Sequence, residues 1–284
     1  LASGISFGHY LRDADALYST LLDIKNRDNT PLLHTATDGE IYGHHEPYGD
    51  MALAALIRKV NERNDFIFDN YASYMDRNPA KKHAVLRRGE DNRGTSWSCS
   101  HGVSRWYKDC GCHTGGEPGW NQKWRTGLRD ALNNLGDKID SIFNNEVDRI
   151  FSGNLDSHEL LKKAGTVFCG KVEMKKFVEE LQVNYGFSDQ DKTQLSHLLT
   201  GMKYKHFSFT SCGWFFNEIS GIEPRQDIKY AIHAITLFQQ FTREELMIPF
   251  LNDLKKAKSN IREMGDGMLI AQEEIKGLDG DVEA

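Results

Sequence analysis

Residues 34–51 read His-Thr-Ala-Thr-Asp-Gly-Glu-Ile-Tyr-Gly-His-His-Glu-Pro-Tyr-Gly-Asp-Met. Asp38 and Glu40 stand two residues apart, with His34, His44 and His45 around them. A carboxylate beside another, or in a poorly solvated pocket, has a raised pKa and can serve as a general acid. The paired imidazoles suit hydrogen bonding to a polar substrate; they lack the i, i+4 spacing with which a helix holds zinc. The apolar approach Pro31-Leu32-Leu33 predicts a buried strand over 31–37. That would place the motif where α/β enzymes keep their chemistry, at the C-terminal end of a strand. Asp38 is then expected in a concave pocket with Glu40 and one of the histidines. The plainer alternative is a polar turn with Asp38 as an Asx-turn residue.

Two further stretches carry reactive types. Residues 94–116, Gly-Thr-Ser-Trp-Ser-Cys-Ser-His-Gly-Val-Ser-Arg-Trp-Tyr-Lys-Asp-Cys-Gly-Cys-His-Thr-Gly-Gly, hold Cys99, Cys110 and Cys112 with His101 and His113. These are zinc ligands by type, but the C-x10-C-x-C-H spacing lacks paired CxxC knuckles, so a metal-free loop with reduced cysteines is expected. Trp97 and Trp106 offer indole faces that stack on sugar rings or fill a core. This loop is expected to be ordered, with Trp97 near Asp38. Residues 209–221 hold Cys212, Trp214, Asn217 and Glu218; either Trp214 or Glu218 is lent to a cleft, or Trp214, Phe215 and Phe216 are core and Glu218 caps a helix.

The elements that must position these residues follow from periodicity. Helices are predicted over 9–26 and 48–63, a short strand then a helix over 65–76, and a second strand over 81–88. A long helix follows Pro118, with apolar residues at 3- and 4-residue steps from Trp120 to Phe143. Further helices are predicted over 156–166, 171–184, 188–200, 224–240 and 243–261. Asn184-Tyr185-Gly186 is the clearest stop. The layout is α/β plus all-α, predominantly helical: residues 1–118 with the Trp/Cys-rich loop 89–118, then a helical domain over 119–284.

The chain has 284 residues, 39% hydrophobic and 27% charged, with net charge −6. A sizeable core is possible, and non-specific binding to nucleic acid or anionic membrane is disfavoured. No apolar run approaches the roughly 18–20 residues that span a bilayer. Five cysteines, an odd number in a chain this large, do not suggest a disulfide scaffold, so a cytoplasmic location is expected. The first residue is Leu1, which reads as the start of a fragment or processed form.

Thr37-Asp-Gly-Glu-Ile-Tyr-Gly-His-His resembles the fourth signature region of glycoside hydrolase family 57, whose members act on α-glucans. Thr95-Ser-Trp-Ser-Cys-Ser-His-Gly, Asp109-Cys-Gly-Cys, Pro118-Gly-Trp-Asn-Gln-Lys-Trp-Arg and Thr210-Ser-Cys-Gly-Trp-Phe-Phe-Asn-Glu-Ile-Ser-Gly-Ile-Glu resemble an uncharacterised subgroup in which such a barrel continues into a helical domain. The resemblance implies a partial (β/α)7-type barrel segment followed by a helical bundle. It gives Asp38 the acid/base role of a retaining glycosidase and makes Glu40 an orienting carboxylate. His44, His45, Trp97, His101, Trp106 and Trp214 become the sugar-holding candidates. The family's nucleophile region has no counterpart here, with Glu218 the one candidate substitute, so an N-terminal segment or chain completing the barrel is the implied partner. The expected ligand is an oligosaccharide or α-glucan, with no metal and no cofactor. Rival readings are a non-catalytic carbohydrate-binding or assembly module, and a protein stabilised by metal at the Cys/His loop.

Overall fold

The computed structural model describes residues 1–28, 31–89, 91–96 and 99–280. The chain divides into two compact units, Leu1–Val85 and Leu86–Ala284. The division assigns the Trp/Cys-rich loop to the helical unit rather than to the N-terminal one.

The first unit contains α1 (Ala2–Phe7), α2 (Ala14–Asp28), α3 (Gly49–Arg63) and α4 (Tyr71–Arg77). Leu17 and Tyr18 of α2 and Leu56 and Val60 of α3 are buried with Ile5, Leu11 and Ile41 in one small core. The i, i+4 pair Leu56 and Val60 gives α3 its apolar stripe. Asn70 caps α4, its side chain accepting from the Ser73 amide at 3.0 Å.

The barrel segment is not seen. Among the described residues there is no sheet, and the β pairing consists of two isolated bridges, Tyr42 with Glu46 and Lys258 with Asp266. The predicted strands over 31–37, at the start of 65–76 and over 81–88 carry no ladder. A short apolar run has no period that separates a strand from a packed loop, and a strand requires a partner to receive its hydrogen bonds. Leu32 and Leu33 instead line a cavity of about 200 Å³ with Phe66, Ile67 and Phe68. Val85 and Leu86 stand in solvent.

The second unit contains α5 (Trp124–Phe151), α6 (Ser157–Phe168), α7 (Met174–Tyr185), α8 (Asp189–Phe207), α9 (Ile222–Phe238), α10 (Met247–Leu254) and α11 (Gly267–Gly280). The 3- and 4-residue steps of α5 are its buried stripe: Trp124, Leu128, Ala131, Leu135, Ile139, Phe143 and Val147. Asp156 and Ser188 cap α6 and α8, accepting from Glu159 N and Asp191 N. The α7 helix ends on Gly186 in the left-handed conformation (φ 74°). No helix among the described residues is long and apolar enough to cross a membrane.

Two helical glycines in this unit should respond to a methyl group with opposite signs. A Cβ on Gly127 of α5 would lie 2.6 Å from the Ala257 nitrogen and 2.8 Å from its Cα, so backbones approach there. Gly127→Ala is expected to cost about 2–3 kcal/mol by overpacking. A Cβ on Gly165 of α6 meets nothing within 4 Å. Gly165→Ala is expected to gain roughly 0.5–1 kcal/mol from helix propensity. Urea unfolding of the full chain distinguishes the two; equal effects would mean that the α5 contact is not a close one.

Candidate functional site

The 38–48 segment is a compact turn pinned from within. A 3₁₀ turn, Gly39–Ile41, carries Ile41 into the first unit's core. The amides of His44 and His45 both donate to the Glu40 carbonyl, at 3.1 and 2.9 Å, and Gly43 supplies φ 125°. The chain then passes the N-terminus of α3 at Gly49, where a Cβ would come 2.9 Å from the Ile41 carbonyl oxygen. Glu46 turns inward and is 6% exposed. Arg12 Nε donates to it at 2.8 Å and His9 bonds its other oxygen, and together they hold the carboxyl below the usual range.

Asp38, Glu40, His44 and His45 face outward and are exposed. The two imidazoles stack with centroids 4.7 Å apart and planes 21° from parallel. Tyr48, which starts α3 with φ 63°, is 75% exposed. The motif therefore stays together, but on an open turn, not in a concave pocket at the end of a strand. Asp38 and Glu40 line none of the unit's described cavities. The physical reason is the absent sheet: without strands there is no rim of strand ends from which a pocket is built.

The other candidates lie in the second unit, except that Trp97 falls outside the described residues. Trp214 is core, fully buried, its Nε1 donating to the Arg125 carbonyl at 3.2 Å and the Arg129 guanidinium 4.0 Å above its ring. It offers no face to a ligand. Trp106 is half-buried, and its Nε1 donates to the Ser211 carbonyl at 3.1 Å. Glu218 is a structural carboxylate, accepting from Ser220 N, Ser259 Oγ and Asn260 N at 3.1, 2.6 and 2.8 Å. It fastens the 259–260 segment and is unsuited to stand in for a nucleophile.

His101 departs furthest from its expected role. Its Nδ1 lies 3.8 Å from Cys99 Sγ and 3.4 Å from Cys112 Sγ. Cys99 Sγ is in turn 3.8 Å from the sulfurs of both Cys110 and Cys112. All four ligand atoms fall within 4.8 Å of one another. His113 is not among them; its Nδ1 contacts Gly115. Burial opposes ionisation of Cys99, but hydrogen bonds from the His101 backbone and ring and from the other two thiols outweigh it and bring the thiol down to about 7. Burial and its thiol neighbours push Cys112 up to about 11.

Two buried guanidiniums lie beside this cluster. Arg125 donates to the Cys112 carbonyl at 2.9 Å and to Phe216 O at 3.0 Å, and burial pushes it down to about 10. Arg105, 5% exposed, sits over the Phe215 ring at 4.6 Å. The Nε atoms of both lack a hydrogen-bond partner among the described residues. The signal for this cluster was present in the residue types; the spacing hid it, because convergence depends on how the loop folds back between 101 and 110.

The profile of a family described as "Domain of unknown function (DUF3536)" matches residues 120–283, more than half of the chain. No curated protein and no solved structure matches.

Proposed function

The chain belongs to the DUF3536 family, and we propose that it is a carbohydrate-active protein that holds α-glucan on the 38–48 turn as a binding module. The observation that carries this reading is the turn itself. Two carboxylates, a stacked imidazole pair and an exposed tyrosine ring are displayed together, and no internal ion pair or side-chain hydrogen bond among the described residues engages Asp38, Glu40, His44 or His45. Carboxylates accept hydrogen bonds from adjacent sugar hydroxyls, and a flat ring covers the apolar face of a pyranose. The resemblance of Thr37–His45 to a family 57 signature supplies the substrate class.

Binding is favoured over turnover because a general acid works in a site that excludes water and faces a second catalytic group. The turn is open, and Glu218 is committed elsewhere. Calorimetric titration of the 284-residue chain with maltoheptaose should give a dissociation constant of about 1 mM. Asp38→Asn with Glu40→Gln should weaken it roughly tenfold, the worth of one or two charge-assisted hydrogen bonds. No reducing sugar should be released from amylose. Absence of binding, or binding indifferent to the double substitution, would refute the reading. Amylose hydrolysis abolished by Asp38→Asn would replace it with an enzymatic one.

A further inference from the structure

We propose that Cys99, His101, Cys110 and Cys112 bind a single zinc-class divalent cation in a closed tetrahedral site that fastens the Trp/Cys-rich loop to the helical unit. This site lies in the second unit and does not depend on the carbohydrate reading.

The distances match the chemistry. A tetrahedral zinc with Zn–S near 2.3 Å and Zn–N near 2.0–2.1 Å sets its sulfurs about 3.8 Å apart and sulfur from nitrogen about 3.5 Å. The two sulfur–sulfur edges from Cys99 are both 3.8 Å, two of the three sulfur–nitrogen edges are 3.8 and 3.4 Å, and all four ligand atoms lie within 4.8 Å of one another. A disulfide would draw one pair of sulfurs to about 2.05 Å and leave the third out. Instead Cys99 stands equally far from both other thiols, as ligands around a shared ion do. The cage is also too small for an iron–sulfur cluster, whose cysteine sulfurs stand farther apart across the inorganic core.

The backbone presents the ligands. Gly111, between Cys110 and Cys112, takes φ 76°, which L side chains rarely adopt, and turns both thiols to one side. Asp109 fixes that turn by accepting from Gly111 N at 3.0 Å and from Gln122 N at 3.3 Å. The Cys99 amide donates to Ser96 Oγ at 3.1 Å. Such outer contacts orient metal ligands.

Charge points the same way. Three thiolates, a neutral imidazole and a divalent ion sum to −1, with three thiol protons released to solvent on binding. Arg125 and Arg105 are buried cations that make no salt bridge to a carboxylate among the described residues. They meet at Phe215, Arg125 through its carbonyl and Arg105 over its ring. An anionic metal centre against the Cys112 end of Arg125 adds counter-charge to that of the nearby Asp109 carboxylate. Four protein ligands leave no open position, so the site is structural.

The test uses the full chain, purified under reducing conditions and desalted after equilibration with zinc. One equivalent of zinc per chain is expected. Cobalt in its place should show the visible bands of a tetrahedral ion with charge transfer from three thiolates. Chelation should lower the melting temperature by about 10 °C, restored by zinc and not by magnesium. Cys110→Ser and His101→Ala should lose most of the bound metal, whereas Cys169→Ser and Cys212→Ser should keep it. If Cys110→Ser fails to fold, the cobalt spectrum of the unaltered chain decides alone. Substoichiometric metal, a spectrum without thiolate charge transfer, a brown iron-containing protein, or a Cys99 disulfide in non-reducing peptide mapping would each overturn the proposal.

Discussion

Arg125→Ala is expected to cost the Leu86–Ala284 unit about 4 kcal/mol, enough to unfold a marginal domain. Arg125 is fully buried on α5 and joins three segments that share no regular structure. Its Nη1 donates to Cys112 O at 2.9 Å, and its Nη2 to Phe216 O at 3.0 Å and Phe215 O at 3.4 Å. Alanine leaves those carbonyls without their donors and opens a cavity the size of the side chain. Hydrogen bonds to a charged group contribute roughly 1.5–3 kcal/mol each. Against this stands relief of repulsion from Arg105, which shares the region and helps depress the Arg125 guanidinium. Two or three bonds outweigh one repulsion between groups that remain hydrated in the unfolded chain. Lysine should not rescue, because one ammonium cannot fork between carbonyls on separate segments. Urea unfolding followed by tryptophan fluorescence measures the difference; a loss under about 1 kcal/mol would mean the loop and the 215–216 segment hold together without this side chain.

The helical unit was legible in the sequence because its signals are local. The stripe of α5 and the stop at Gly186 each depend on residues within four positions of one another. The predicted helix after Pro118 begins later, at Trp124, since the 119–123 segment is instead held by the side chains of Asn260 and Asp109. What the sequence hid was non-local. The run Pro31-Leu32-Leu33 is apolar enough for a strand, yet no neighbour supplies a ladder, and its leucines fill a cavity. Trp214 has the composition of a ligand-facing indole but is surrounded by Arg125 and Arg129, 85 or more residues upstream. The Cys/His group has no short-knuckle spacing to give it away, because a long loop performs the convergence. The 34–51 motif reads in the sequence as the end of a strand, but its polar groups stand on an open turn, because no sheet forms among the described residues to carry a strand there.

Asp227→Asn should make the helical unit progressively more stable than the unaltered chain as the pH rises from 6 to 8. Asp227 lies on α9, 1% exposed, with Oδ2 unpartnered among the described residues. It is pressed so closely onto Gly213 that a Cβ there would come 1.9 Å from that oxygen. Burial pushes the carboxyl up to about 8, and the Arg129 guanidinium opposes the rise only in part. The sign follows from where the proton sits. In the unfolded chain the group ionises near its ordinary 3.8, while in the fold it stays protonated until about 8. Its contribution is therefore fully present below the unfolded value and is lost progressively as pH rises through the folded one. Over the whole interval the difference is worth at most roughly 6 kcal/mol. Effective dielectric in real interiors reduces it, and we expect the gap between the two proteins to widen by about 1–2 kcal/mol between pH 6 and pH 8. Above pH 9 it should be flat, because the carboxyl is then ionised in both states. Comparing the two proteins at each pH cancels other titrating groups, including thiolates that would release a bound metal in acid. Asparagine retains the shape and one donor of the protonated acid, so the fold tolerates it. A gap that stayed constant across that window, or narrowed, would show that Arg129 holds Asp227 ionised in the fold and that the pair, not a neutral acid, is what the core encloses.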